Sequence, residues 1–322
     1  MAKRRAGSRD PCREMQLFED YELGDGEFRR ISTLAYEEAR LNLHQGKKLL
    51  VQNRLRKRLR ALGLPGFKEY LRFLEDNPEE VRTMVDCLTT NFTRLFREQE
   101  HFDFLREEVI PWLNASGFER IRFWSAGCSS GEEPYSLAIY LREYLEEVDD
   151  RDVLILATDI SLRALSRARE GVYREDQLAD VPAAWKFKYF RKCRLNGENC
   201  FRVTPELARL IRFRYLNLVG DWPMRGLFQV ILCRNVMIYF DKATQQELVG
   251  RFHRYLVPGG YFFVGHSESL TRIRHPFRYC RPSVYRKAEE AEESRGLSRR
   301  GGNEVSGKAR AAEKQGKEVP EE

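Results

Sequence analysis

Between Phe28 and about Asn77 apolar residues recur every three or four positions, whereas beyond Gly117 they gather into short runs rich in β-branched and aromatic side chains. The first spacing predicts amphipathic helices and the second predicts strands. In the stretch 47–63, Val51, Leu55, Leu59 and Leu62 fall four, four and three apart, and Gly63 ends the helix. The neighbouring stretches 31–40 and 67–74 read as helices too, and Val81 to Leu113 as two more. Then strand-like runs at 121–126, 153–158, 211–216, 228–233 and 261–266 alternate with helical stretches at 132–147, 161–170 and 242–256. This alternation predicts a mainly parallel sheet with helices on both faces.

One segment interrupts the alternation. Residues 186–205 carry an Asn196-Gly197 pair between strand-like arms, which predicts a small antiparallel hairpin appended to the sheet. Its two-residue turn sets Cys193 opposite Cys200 in a hydrogen-bonded pair. Pro258-Gly259-Gly260 reads as a turn between the last helix and the fifth strand. The polar residues 1–14 and the charged residues 288–322 bury too little to offset their ordering entropy, so both ends are expected to be disordered. The expected organisation is a helical domain at 15–90, a linker helix at 91–117 and an α/β domain at 118–287, with a β-subdomain at about 186–216.

Composition narrows the class without choosing a partner. The chain has 322 residues and a net charge of +7, which permits nucleic acid, an anionic surface or an acidic protein as partner. No apolar run is long enough to cross a bilayer, and the basic start has no apolar core behind it, so a cytoplasmic protein is expected. Seven cysteines, with no C-x-x-C among them, fit reduced thiols. Neither a phosphate-binding G-x-x-x-x-G-K-[ST] loop nor a metal-ligand spacing of histidines and cysteines is present.

Candidate chemistry concentrates at the ends of the predicted strands. Arg122 to Tyr135 reads R-F-W-S-A-G-C-S-S-G-E-E-P-Y, a strand entering a small-residue turn that opens a helix. Such a turn is where an open α/β sheet holds a nucleotide-like ligand. Glu132 and Glu133 would repel a pyrophosphate there but suit hydroxyls or a cation, as on S-adenosylmethionine; alternatively they are first-turn acids that favour the helix dipole. Asp159, ending the second strand, is placed to accept bonds from ribose hydroxyls, or to open the next helix with Ser161. Asn217, Arg234 and Asn235 are further polar groups at strand ends, and His266 reads as a core or rim residue. The predicted helix around Val51 bears Lys47, Lys48, Arg54, Arg56, Lys57, Arg58 and Arg60, with no acidic residue between Lys47 and Ala61. That face is either solvated surface or a docking site for an acidic partner.

Taken together, L-T-T-N-F-T-R-L-F-R-E-Q-E-H-F (88–102), W-S-A-G-C-S-S-G-E-E-P-Y-S-L-A (124–138), A-T-D-I (157–160), N-L (217–218), C-R-N-V-M-I-Y-F-D (233–241) and G-H-S-E-S (265–269) resemble the CheR-type chemotaxis receptor methyltransferases. These enzymes move a methyl group from S-adenosylmethionine to receptor glutamates, leaving S-adenosylhomocysteine and a glutamate methyl ester. The resemblance implies an α/β, Rossmann-like S-adenosylmethionine-dependent methyltransferase sheet with a small antiparallel β-subdomain, preceded by an all-α N-terminal domain. It implies that Asn91, Thr93 and Arg97 close over the cofactor, and that Glu133 and Asp159 contact its amino-acid and ribose parts. Asn217, Leu218, Arg234 and Asn235 fall on the adenine and methionine side, while Arg97 and Tyr239 face the substrate carboxylate. No metal enters. Arg54, Arg56, Arg58 and Arg60 would attract glutamate-rich receptor helices, and the hairpin corresponds to a β-subdomain that in some members grips a tethering peptide at the receptor's C-terminus. A nucleic-acid amino-methyltransferase would instead carry [D/N]-P-P-[Y/F] where this chain has Arg234 to Tyr239.

Overall fold

The computed structural model describes residues 21–289, so the arm expected at 1–14 and nearly all of the tail expected at 288–322 lie outside the described residues. The N-terminal domain consists of α1 (Asp25–Ala39), α2 (Lys48–Leu62), α3 (Phe67–Asp76) and α4 (Glu80–Leu88). Their apolar faces meet in one core, to which α2 contributes Val51, Leu55 and Leu59, all fully buried. Gly63 caps α2 at a φ of 67°, a left-handed conformation that glycine adopts at no steric cost. The same core reaches Ile160 and Tyr239 of the following domain, so the helices pack directly beside the sheet's functional end.

The linker expected to be helical from residue 91 is not helical before Gln99. Residues 90–98 form an irregular strap in which Phe96 and Glu98 hold positive φ angles of 53° and 59°. Its polar backbone is bonded outward rather than to itself: the Phe96 amide donates to Ser136 Oγ at 2.9 Å, and the Arg97 carbonyl accepts from Arg234. Helix resumes as α5 (Gln99–Phe104), passes through a π-helical turn at Leu105–Val109 and ends as α6 (Ile110–Ala115).

The second domain follows as β1 (Arg120–Ala126), α7 (Glu132–Tyr144), β2 (Asp152–Asp159), α8 (Leu162–Glu170), β3 (Val172–Arg174), α9 (Ala183–Tyr189), β4 (Phe190–Leu195), β5 (Glu198–Val203), α10 (Pro205–Ala208), β6 (Ile211–Tyr215), β7 (Phe228–Cys233), α11 (Lys242–Tyr255), β8 (Leu256–Val264), β9 (Arg278–Arg281) and β10 (Val284–Arg286). The main sheet has the order β6-β2-β1-β7-β8-β10-β9. Its first five strands are parallel, and β10 and β9 close the edge as an antiparallel pair. Neighbouring residues feed opposite faces: Phe123 and Trp124 of β1 are both fully buried but belong to separate cores above and below the sheet. From β1 the chain winds outward through β2 to β6, then crosses back to β7. The reversal at β1 leaves a crevice outside the carboxyl ends of β1 and β7, where open α/β sheets bind ligands.

The β-subdomain differs in extent from the expected 186–216. Its three strands are in the order β3-β5-β4, while Ile211–Tyr215 pairs in parallel with β2 as the edge of the main sheet. β3, at three residues, is too short to leave a periodic signal. The hairpin turn has Asn196 and Gly197 at φ of 51° and 84°, and Cys193 pairs opposite Cys200 with both thiols free. Pro258 to Gly260 also differs from expectation, because it lies within β8, at an irregularity in the pairing with β7. A side chain on Gly260 would approach the Val257 and Gln229 carbonyls to 2.9 and 3.0 Å.

Candidate active site

A cleft opens at the carboxyl ends of β1, β2, β6 and β7, roofed by the strap and by Ala39, Leu41 and Val85 of the helical domain. Its floor is built by the turn after β1. Gly127 sits at a φ of 91°, and a Cβ there would lie 2.3 Å from Val236 Cγ2, so only glycine lets the loop after β7 close against β1. The Gly127 and Cys128 amides both donate to the Thr158 carbonyl, at 2.8 and 2.9 Å. Asp159 then ties two turns together, one carboxylate oxygen accepting from the Ser129 amide and the other from the Ser161 amide, each at 2.8 Å. Burial raises its pKa, and the two amides oppose that rise. Ser161 itself caps α8 by accepting from the Ala164 amide, so Asp159 is a cleft wall beside a cap.

The twin glutamates diverge. Glu132 turns away from the cleft, 2% exposed, and accepts from Ser130 Oγ; burial raises its pKa. Glu133 lines the cleft and accepts from Ser125 Oγ at 2.6 Å and from Arg234 Nη1 at 3.0 Å. The Arg234 side chain is 3% exposed and spans to Glu98, with Nη2 and Nε at 3.1 and 3.3 Å from Oε2. Burial alone would raise the pKa of Glu98, but the charge and hydrogen bonds of Arg234 outweigh it and hold the carboxyl below its ordinary value. Beside it His101 is fully enclosed, and burial followed by the Arg234 charge pushes its pKa down to about 3.

Three bonds join the helical domain to this end of the sheet. Asn217 Nδ2 donates to the Glu38 carbonyl at 2.7 Å, the Asn42 amide to the Tyr239 carbonyl at 2.9 Å, and the Tyr36 hydroxyl to Asp241 Oδ2 at 2.6 Å. On the strap, the Asn91 carbonyl accepts from Ser129 Oγ at 3.1 Å and its side-chain amide reaches Ser161 Oγ at 3.3 Å. Arg97 donates to the Phe92 carbonyl at 3.1 Å, and its side chain is 31% exposed.

Asn91, Thr93, Arg97, Glu133, Asp159, Asn217, Leu218, Arg234, Asn235 and Tyr239 all line the one cleft. Two supporting acids escaped the sequence reading. Glu98 is the last residue of the strap, at a positive φ of 59°, and has no sequence pattern of its own. Glu268 is buried and accepts from the Gly265, Asn235 and Ile238 amides at 2.6, 2.7 and 3.2 Å, which fixes the loop carrying Asn235 and Tyr239. Its signal is the G-H-S-E tetrad at 265–268, in which His266 is the more conspicuous residue.

The basic face of α2 lies outside the cleft, and its charges are not uncompensated. Arg58 makes a two-pronged pair with Glu80 of α4 at 2.7 and 2.6 Å, Glu80 also accepting from Tyr70 at 3.2 Å. Lys48 pairs with Asp25 at 2.6 Å. Arg54 donates to the Leu88 carbonyl and to Thr90 Oγ1, holding the start of the strap, and Arg56 donates to the Tyr21 carbonyl. The compensating carboxylates come from other helices, so counting charges within 47–61 missed them. Lys57 and Arg60 remain on the exposed side.

The cleft's polar set suits a particular ligand. Among the described residues no lysine lines it, and its carboxylates Asp159 and Glu133 each have oxygen lone pairs left for hydroxyl or ammonium donors. Residues 91–285 match the family model described as CheR methyltransferase, SAM binding domain, and residues 26–89 match CheR methyltransferase, all-alpha domain. The chain belongs to the CheR methyltransferase family. The boundary between the family's two domains falls at Thr90, where Arg54 grips the strap.

The chain is 40% identical to the chemotaxis protein methyltransferase of Borreliella burgdorferi over 269 residues, 81% of this chain and 94% of that protein. It is 40% identical to the Escherichia coli chemotaxis protein methyltransferase over 282 residues, covering 85% and 96%. A Pseudomonas aeruginosa relative, chemotaxis protein methyltransferase 2, is 40% identical over 263 residues, covering 81% and 93%. This CheR family member is an S-adenosylmethionine-dependent methyltransferase with an all-α domain ahead of a Rossmann-like sheet. Among the described residues no helix is long and apolar enough to cross a membrane.

Proposed function

We propose that the protein transfers the methyl group of S-adenosylmethionine to side-chain carboxylates of glutamates in chemotaxis receptors, acting in the cytoplasm as a protein-glutamate O-methyltransferase for sensory adaptation. The observation that carries this reading is the presence of both Arg97 and Tyr239 in a cleft lined, among the described residues, by no histidine and no lysine. A carboxylate is already ionised at pH 7, with an ordinary glutamate pKa of about 4.3, so it needs no base to become a nucleophile. It needs to be held and aimed.

Arg97 can hold such a carboxylate with two parallel N–H donors, and the Tyr239 hydroxyl can fix one of its oxygens. Alignment of two reactants in this manner is worth about 7 to 11 kcal/mol. Bound in the cleft, S-adenosylmethionine supplies an electrophilic methyl on a sulfonium. Asp159, Asn217 and Leu218 would hold its nucleoside end, while Asn91, Thr93, Glu133, Arg234 and Asn235 would hold its amino-acid end. Closure of the strap excludes water, which favours a step in which opposite charges cancel.

For the receptor itself, the exposed part of the α2 face fits a glutamate-rich helix. The helix α9 beside the β-subdomain offers a second contact for a tethering peptide: its Phe187 is 87% exposed, between Lys186 and Lys188, which pair with Glu175 and Glu143. The test is transfer of radiolabelled methyl from S-adenosylmethionine to a receptor cytoplasmic fragment, followed by mild alkali. Glutamate methyl esters release the label as volatile methanol. Label that resists alkali would mean methylation at nitrogen and would overturn the assignment.

A further inference from the structure

His101 is 1% exposed, and neither of its ring nitrogens has a hydrogen-bond partner. Buried polar atoms left unpaired cost about 1–3 kcal/mol each, so a histidine enclosed in this way calls for a ligand. Two other donors face it. Glu98 Oε2 stands 3.4 Å from His101 Nδ1, and the His266 ring meets the His101 ring edge-on with centroids 5.0 Å apart. One ligand atom from each of Glu98, His101 and His266 falls within 4.8 Å of the others. We propose that these three residues form a binding site for a divalent transition-metal ion of the zinc class, beside the methyltransferase cleft and distinct from it.

Two imidazoles and one carboxylate suit zinc and its first-row neighbours, and are too nitrogen-rich for calcium or magnesium. Ligand atoms about 2.0–2.2 Å from a tetrahedral ion stand roughly 3.4 Å apart, so the site closes by a small movement. His266 is the ligand best placed to supply it, since its side chain is 45% exposed. Glu100 Oε2, 3.9 Å from His266 Nε2, is placed to become a fourth ligand. The carboxylates of Glu98 and Glu100 offset the incoming charge, although the Arg234 and Arg281 guanidiniums oppose it. Sequence spacing concealed the cluster because His266 is delivered by the loop after β8, far along the chain from α5.

Occupation would reach the cleft through one atom. Glu98 Oε2 is also the acceptor for Arg234, so an ion there competes with the bond that anchors the wall next to Glu133. Metal and S-adenosylmethionine should therefore weaken each other's binding by the same factor.

Calorimetric titration of the full-length protein with Zn²⁺ tests the site, alongside the visible spectrum of the Co²⁺ complex. The expected result is one equivalent of Zn²⁺ bound, weakened at least about tenfold in His266→Ala, whose exposed position leaves the fold intact by circular dichroism. His101→Gln should weaken it similarly, and Co²⁺ should give the bands of nitrogen and oxygen ligation. The proposal is overturned by the absence of binding, by an affinity unchanged in His266→Ala, or by a Co²⁺ spectrum dominated by thiolate charge transfer, which would put the ion on cysteines.

Discussion

Arg234 and Arg97 line the same cleft and carry the same charge, yet they are held in opposite ways. The Arg234 side chain is 3% exposed and bonds two carboxylates and a backbone carbonyl. Arg97 is 31% exposed and contacts groups of its own strap, the Phe92 carbonyl at 3.1 Å and the Glu98 carboxylate at 4.0 Å. The β7 side of the cleft is thus a finished wall, assembled before any ligand arrives, while the strap side keeps donors unspent. A group that spends all its donors on the protein builds the site; a group that keeps them can act on a substrate.

Removing the built arginine gives the largest effect. In Arg234→Met, Glu98 and Glu133 stay buried without their shared counter-charge, which is expected to cost about 3–5 kcal/mol in chemical denaturation and to abolish measurable S-adenosylmethionine binding. A loss below about 1 kcal/mol would show that the wall does not depend on the pair. Arg97→Ala should behave in the reverse sense. Stability should stay within about 0.5 kcal/mol of the parent, while methyl transfer to a receptor fragment at saturating substrate falls about 10²–10³-fold. Loss of cofactor affinity without loss of turnover would move Arg97 from the substrate to the cofactor.

The same contrast explains what could be read from the sequence. Strands at 121–126, 153–158 and 228–233 and the α2 stripe were legible because a local period of apolar residues is what burial on a sheet or in a helical core demands. The turn at Asn196-Gly197 was legible because its backbone angles favour those residues. Glu98 and Glu268 were not, since a buried acid is recognised only by the partners that tertiary structure brings to it. The strap read as helix for the same reason: its polar pattern suits a helix, and bonds to Ser136, Arg234 and Ser129 override it. Arg58 looked like a free charge until α4 placed Glu80 against it.

Arg58 is accordingly the helical domain's counterpart of Arg234. Its side chain is 28% exposed and that of Glu80 7%, so the pair is less enclosed than the one in the cleft. Arg58→Met should cost about 2 kcal/mol of stability, read from denaturant midpoints, and should lower receptor methylation only in proportion to the folded fraction. Reduced methylation by fully folded protein would return Arg58 to the docking surface.

The counterpart of Arg97 on α2 is the exposed Lys57, and here the expected effect is smallest. Reversing the charge in Lys57→Glu leaves the buried stripe of Val51, Leu55 and Leu59 untouched, so the denaturation midpoint should not move. An exposed charge contributes roughly 0.2–1 kcal/mol to an acidic partner, which predicts a rise in KM for a receptor fragment of about 1.4- to fivefold. Turnover at saturation and S-adenosylmethionine affinity should be unchanged. Because the attraction acts through solvent, the difference from the parent should shrink as salt shortens the screening length from about 10 Å at 0.1 M to about 3 Å at 1 M. A KM difference that persists in high salt would mean direct contacts rather than a field. No difference at low salt would leave α2 as plain surface and shift receptor docking to α9 beside the β-subdomain, where Phe187 is the residue to replace next.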